Sequence, residues 1–250
     1  MLVMGRQANG YADRVTGTLP MRGLEWLLRR VLVGPPLRAY LRLRVEGAEH
    51  IPATGPVIIA SNHLSFIDSM VIPLAAGRKV GFLGKAEYMQ GSGITGWLKR
   101  LWFGEFGGMI PVDRSDARAA ALSLEIAEEH LAAGGAFGIY PEGTRSRDGK
   151  LHKGRTGVGR LALASGAPVI PCALTGTDKA QPAGHRGIRP HRVTVSFAPP
   201  VDVGSLEAQH VKGRLLRAVT DEVMDAIATR SGQERSADFA ARPGADSPLG

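Results

Sequence analysis

Cysteine is almost missing from this chain. Cys172 is the one thiol in 250 residues, so no internal disulfide can form, and a small disulfide-stapled secreted scaffold is excluded. Its setting, Val169-Ile170-Pro171-Cys172-Ala173-Leu174, predicts a buried strand, and a reducing, cytosolic environment fits. Aromatic residues are also scarce, at 6%, and no nucleic-acid-binding motif is recognisable, which argues against a nucleic-acid partner. No run of about 18 or more uncharged apolar residues occurs, so no spanning helix is expected. The first residues lack a compact apolar run followed by a small-residue cleavage site, so no secretory signal is expected either. There is no G-x-S-x-G elbow to support an esterase, and no internal repeat.

What is present is enough apolar content, 44%, for one substantial core. Basic residues outnumber acidic ones, 31 to 23, and the net charge of +8 suits an anionic partner such as a phospholipid surface or a phosphorylated substrate.

Residues 1–18 are polar and without period and read as a flexible leader. Residues 19–46 read as an amphipathic, membrane-interfacial helical segment. Leu24, Leu27, Leu28, Val31 and Leu32 share one helical face, and Gly34-Pro35-Pro36 ends that helix. A second short basic segment runs from Leu37 to Val45. Six arginines against one acid, Glu25, lie between Met21 and Arg44, a balance suited to lipid headgroups, although an ordinary helix packed on the core has the same pattern.

From residue 47 to 230 short apolar runs alternate with helical patterns, predicting a single α/β domain with a central mixed sheet flanked by helices. Strands are expected at Pro56 to Ser61, Lys79 to Leu83, Met109 to Val112, Ala136 to Tyr140, Val169 to Leu174 and Arg192 to Phe197. Helices are expected at Phe66 to Ala76, Gly96 to Phe103, Asp116 to Ala133, Val158 to Ser165 and Ser205 to about Arg230. Residues 231–250, rich in Gly, Pro, Ala and Ser, read as a disordered tail.

Three constellations carry the chemistry. In Ser61-Asn62-His63-Leu64-Ser65-Phe66-Ile67-Asp68, a histidine follows a buried strand and a carboxylate comes five residues later. On one continuous helix the two would point about 140° apart, so a turn must separate them if Asp68 is to orient His63 as a general base. The same residues also match a capping box, in which Asp68 only stabilises a helix start. In Tyr140-Pro141-Glu142-Gly143-Thr144-Arg145-Ser146, a glycine permits close backbone approach after a strand, and Arg145 offers a planar fork for phosphate oxygens. In Gly108-Met109-Ile110-Pro111-Val112-Asp113-Arg114, a strand ends in a charged pair, and Arg114 either holds a phosphate or pairs with Asp113 or Asp116. Lys85 is a further cationic candidate. Arg147, Lys150, Lys153 and Arg155 add positive charge after Arg145, in a loop that is either ligand-facing or simply solvated. Cys172 as a covalent acyl carrier is disfavoured, because no charged neighbour would lower its pKa.

Taken in order, NHLSFID, GMIPVDR, YPEGTRS and VIP resemble the four blocks of the lysophosphatidic acid acyltransferase family, over residues 55 to 200. The resemblance implies an α/β acyltransferase in which His63 is the base and Asp68 orients it. Arg114 resembles the phosphate-contacting arginine of the second block. Glu142, Gly143, Thr144 and Arg145 match the block that binds the acceptor and its phosphate, and Pro171 marks the fourth. Tyr140 stands where phenylalanine is more usual.

It further implies direct transfer of a fatty acyl group from acyl-CoA or acyl carrier protein to 1-acylglycerol 3-phosphate. No metal or tightly bound cofactor is expected. The oxyanion would be met by backbone N–H groups around Gly143 or at a helix N-terminus, and the protein would lie, peripheral or monotopic, on the cytoplasmic face of the membrane. Another lysophospholipid or glycolipid acceptor, thioester hydrolysis and noncatalytic lipid binding remain the alternatives.

Overall fold

In the computed structural model, residues 27–85, 108–112, 119–185 and 187–241 are described. The expected helix at Gly96 to Phe103 lies outside them, as do Arg114 and the leader.

Seven strands form one sheet: β1 (Arg44–Glu46), β2 (Val57–Ser61), β3 (Val80–Lys85), β4 (Met109–Val112), β5 (Ala136–Ile139), β6 (Val169–Thr175) and β7 (Thr194–Phe197). Their order is β1-β7-β6-β2-β5-β3-β4, and every pair is parallel except β6 with β7, which makes the sheet mixed as expected. β2, the run Val-Ile-Ile-Ala-Ser, lies between two parallel neighbours and is buried along its whole length. A continuous apolar run is what a strand covered on both faces requires.

The alternation of β2 divides the core. Val57 and Ile59 face a layer that includes Val71, Ile72 and Ala75 of α2 (Asp68–Ala76). Ile58 and Ala60 face the opposite layer, built from α3 (Ala119–Ala132), α4 (Gly157–Ser165) and the long α7 (Lys212–Ser231). The shorter helices are α1 (Gly34–Tyr40), α5 (Thr177–Ala180) and α6 (Val203–Gln209).

Several expectations need correction. Gly34-Pro35-Pro36 does more than end a helix. A π-helical turn stops at Leu32, and the prolines then occupy the first turn of α1, where their missing N–H groups are not needed. The basic segment from Leu37 to Val45 is not a free-standing interfacial element: Leu41 is fully buried and Arg44 begins β1, which pairs with β7. The single helix expected from Ser205 is two. Asp202 caps α6 by accepting the Ser205 N–H, and the chain extends at Val211 before α7 starts. No proline marks that break, and Gly213, just after it, was the one local signal.

The tail is also ordered further than its composition implies. Gly232 takes the left-handed conformation and ends α7, and the residues after it run along the 149–155 loop. Leu151 N–H donates to Glu234, Ser236 N–H donates back to Leu151, and Lys153 N–H donates to Asp238. Main-chain pairing with an already anchored loop offsets a composition that would not fold by itself.

α4 and α7 pass close to one another at Gly159, where an added Cβ would lie 2.4 Å from the Leu216 carbonyl oxygen. Gly→Ala inside a helix ordinarily stabilises, by up to about 1 kcal/mol, but here the overpacking reverses the sign. Gly159→Ala is expected to lower stability by about 1–3 kcal/mol in urea titrations. Gly213→Ala, with nothing within 4 Å of its new methyl group, should leave stability unchanged or raise it slightly.

Candidate active site

β2 and β5 are adjacent and parallel, so the loops leaving their carboxyl ends meet above the sheet. The first carries His63 and the second begins at Tyr140. The position is the usual one for a site in an open α/β sheet.

The turn demanded by the five-residue spacing is present, because α2 starts at Asp68 itself and residues 62–67 are irregular. Asp68 is completely buried. Its Oδ2 accepts from Leu64 N–H at 2.7 Å and Ser65 N–H at 2.8 Å, and lies 2.9 Å from His63 Nδ1. Only half of the capping box forms: Asp68 Oδ2 takes the Ser65 N–H, but the residue before the helix is Ile67 and Ser65 Oγ donates to the Gln181 carbonyl. Since Oδ2 is an acceptor toward its neighbours, Nδ1 carries the imidazole proton and Nε2 of neutral His63 keeps its lone pair. Among the described residues nothing hydrogen-bonds Asp68 Oδ1.

The ring of His63 is further fixed by Tyr140, which stacks on it with centroids 3.8 Å apart and planes 8° from parallel. Tyr140 is held in turn by a 2.7 Å hydrogen bond between its hydroxyl and Ser69 Oγ. Burial pushes the phenol pKa well up, so the hydroxyl stays protonated and able to bond. The side chain of His63 retains 17% exposure, and with Nδ1 held by Asp68, Nε2 is the nitrogen left to meet a ligand.

The third block lies directly against His63. Glu142 Oε2 accepts the His63 N–H at 3.2 Å, and the His63 carbonyl accepts Ser146 N–H at 2.8 Å. Gly143, Thr144 and Arg145 are thereby carried beside the main chain of His63. Gly143 sits at φ +79°, where a side chain would be strained, and is exposed. Its own N–H is closed onto the Tyr140 carbonyl at 2.9 Å, so an oxyanion donor would have to come from its neighbours rather than from Gly143. Thr144 and Arg145 are half-buried.

Glu142 departs from its expected role as a substrate ligand. It is completely buried, and its second oxygen accepts His152 N–H at 3.0 Å, so the carboxylate braces two loops from beneath. Burial raises its pKa to about 7, against the opposing effect of the two N–H donors.

The other candidates are placed less completely. Lys85 ends β3, its backbone in register with Val112, two strands away from β2. Pro171 pairs with Ala60 in the sheet. Cys172 is fully buried and its thiol pKa is pushed up by desolvation, which suits the core and not nucleophilic chemistry. In the basic loop Lys150 pairs with Glu234 at 2.6 Å, while Lys153 and Arg155 stand 5.4 and 5.1 Å from the centre of the Phe239 ring. Among the described residues no cluster of three or more His, Cys, Asp or Glu is arranged to hold a metal ion.

Sequence reading passed over three residues. Asn62 bonds both the N–H and the carbonyl of Leu174, and Ser69 and Gln233 join the network from α2 and from the tail. Adjacency to His63 was a signal for Asn62; Gln233 offered none.

A mixed sheet flanked by helices, with a carboxylate-anchored histidine at its carboxyl edge, defines the class as an α/β protein. The chain belongs to the acyltransferase family, whose model matches residues 42–175 and so spans all four blocks. It is 33% identical over 164 residues to a chloroplast 1-acyl-sn-glycerol-3-phosphate acyltransferase of Arabidopsis thaliana, a match covering 65% of this chain and 44% of that one. It is 28% identical over 207 residues to the alpha form of 1-acyl-sn-glycerol-3-phosphate acyltransferase from Mus musculus, covering 81% and 68%. The chain thus spans only about half the length of the plant relatives it matches. The crystal structure of the 1-acyl-sn-glycerophosphate acyltransferase of Thermotoga maritima shares the fold, with a TM-score of 0.65, 23% identity and coverage of 90% and 88%.

Glu142 makes stability pH-dependent in a stated direction. Its carboxyl titrates near 4.5 when unfolded and near 7 when folded, so the unfolded chain releases the proton first. Its contribution is therefore full below about pH 4.5 and declines toward pH 7, by up to about 3 kcal/mol. Glu142→Gln should flatten that decline. It should also destabilise the fold at pH 5 by about 1–3 kcal/mol, because its amide group faces one backbone N–H donor to donor. Denaturant titrations at pH 5 and 7.5 check both effects.

Proposed function

We propose that the chain transfers a fatty acyl group from a thioester to the free hydroxyl of 1-acylglycerol 3-phosphate, giving phosphatidic acid. The observation that carries this reading is the partly exposed His63 ring, tied through Nδ1 to buried Asp68 and backed by Tyr140, which leaves Nε2 for the acceptor. The relatives' names supply the acceptor class.

In the proposed step Nε2 removes the acceptor's hydroxyl proton as that oxygen attacks the thioester carbonyl. The tetrahedral adduct collapses with cleavage of the C–S bond, and the leaving thiolate takes the proton from the imidazolium. A new ester and a free thiol result. General base catalysis accounts for roughly a hundred- to ten-thousand-fold of the rate, and positioning must provide the rest. Asp68 holds the tautomer and steadies the imidazolium. Thr144 and Arg145, fixed beside His63 by the bonds from Glu142 and Ser146, are assigned to the acceptor, Arg145 to its phosphate. Arg114 keeps the same assignment on the strength of the family resemblance, and Lys85 is assigned to substrate only as a further cation at the end of β3. The donor is acyl-CoA or acyl carrier protein.

Binding at the cytoplasmic face of a phospholipid membrane belongs to the same reading. Leu27, Val31, Leu32 and Tyr40 are large apolar side chains left exposed on neighbouring turns. Arg30 and Arg38 do not point only outward: they donate to the carbonyls of Gly77 and Leu74 at the end of α2, docking the apolar turns onto the body. Among the described residues no helix is long and apolar enough to cross a membrane, so contact would be interfacial.

Thiol release from palmitoyl-CoA, with and without 1-acylglycerol 3-phosphate, tests the reaction. Acceptor-dependent release is expected, falling by about a hundredfold or more in His63→Ala. Asp68→Asn should lose a comparable amount, because the amide permits the wrong tautomer. Acceptor-independent release would point to hydrolysis, and near-normal turnover by His63→Ala would overturn the mechanism. Replacing Leu27, Val31 and Leu32 together by serine should weaken cosedimentation with anionic liposomes by about tenfold or more. Unchanged cosedimentation would remove the interfacial role.

A further inference from the structure

The family match ends at residue 175, yet a residue far beyond it reaches the loop that carries His63. Gln233 Oε1 accepts from Asn62 Nδ2 at 2.6 Å, and Gln233 Nε2 donates to the Gly149 carbonyl at 2.8 Å. Asn62 is the residue immediately before His63. Its amide already continues the β2–β6 ladder, accepting Leu174 N–H at 2.7 Å and donating to Leu174 O at 2.9 Å. Gln233 therefore completes a chain of bonds from β6 through Asn62 to the 149–155 loop. That loop connects back to His63 through Glu142, which accepts from both His152 N–H and His63 N–H. The backbone of His63 is thus gripped on two sides, by Asn62 and by Glu142, and Gln233 closes the circuit between them.

The segment bearing Gln233 is held in place independently. Main-chain bonds join Glu234, Ser236 and Asp238 to Leu151 and Lys153, Lys150 pairs with Glu234, and Phe239 lies against Lys153 and Arg155. Loss of the Gln233 side chain leaves all of these in place.

We infer that Gln233 is a positioning residue for acyl transfer: from the C-terminal segment it fixes Asn62 and the 149–155 loop together, and so holds the His63 ring in line with the acceptor hydroxyl. The inference rests on the reading of His63 as the base, and its test is chosen to separate the two. Misplacing a catalytic group by about 1 Å costs on the order of a hundredfold. Gln233→Ala is accordingly expected to lower kcat about ten- to a hundredfold, with KM for acceptor and donor and the melting temperature close to those of the parent. Gln233→Glu keeps an acceptor for Asn62 Nδ2 but loses the donor to the Gly149 carbonyl, so it should fail to restore kcat.

A second measurement needs no turnover. The Nδ1 proton of His63, protected by its bond to Asp68, should exchange with water about tenfold faster in Gln233→Ala when followed by imidazole NMR. A kcat within about twofold of the parent overturns the inference, as does a loss of turnover matched by a lower melting temperature with unchanged imidazole exchange. Absence of acyl transfer in the parent protein would refute the reaction itself, and the exchange measurement would still decide whether Gln233 holds His63.

Discussion

One carboxylate oxygen, Asp68 Oδ2, organises the site. Two backbone N–H groups and the imidazole of His63 converge on it inside a fully buried environment. A buried carboxylate is costly unless it is satisfied, and here the satisfaction comes from its own preceding loop. The same bonds that make Asp68 tolerable in the interior bend residues 63–65 back over the start of α2. They also determine which imidazole nitrogen carries the proton. The fold requirement and the chemical requirement are met by one interaction.

A second buried carboxylate, Glu142, works differently. Among the described residues its oxygens accept only backbone N–H groups, from the His63 loop and the His152 loop. Both histidines reach Glu142 through their main-chain N–H groups and not through their rings, which makes Glu142 a brace and not half of a second dyad. Gly143 can then turn at positive φ, and Thr144 and Arg145 are presented beside His63 without reaching across the sheet. The parallel pairing of β2 with β5 makes this possible, since it brings the carboxyl ends of strands nearly 80 residues apart to the same edge.

The apolar turns before β1 and the segment after α7 show two opposite errors of reading by composition. The arginine-rich stretch from Met21 to Arg44 suggested a surface element throughout. In the structure its later part enters the core through Leu41, and two of its arginines satisfy carbonyls at the end of α2. The polar residues after Ser231 suggested disorder, yet 232–239 follow the 149–155 loop. In both places the deciding partners are distant in sequence, so no local pattern announces them.

The sequence by itself determined the α/β class, most strand positions, the burial of Cys172 and the need for a turn between His63 and Asp68, because each follows from short-range periodicity and backbone geometry. His63 and Asp68 were legible as a pair for the same reason: five residues span both, and helix geometry leaves one way for them to meet. Tertiary structure alone decided the strand order, the stacking of Tyr140 on His63, the bracing role of Glu142 and the contact of Gln233 with Asn62. Each depends on which loops the sheet brings together, and a hydrogen bond between residues 62 and 233 leaves no trace in the spacing of either.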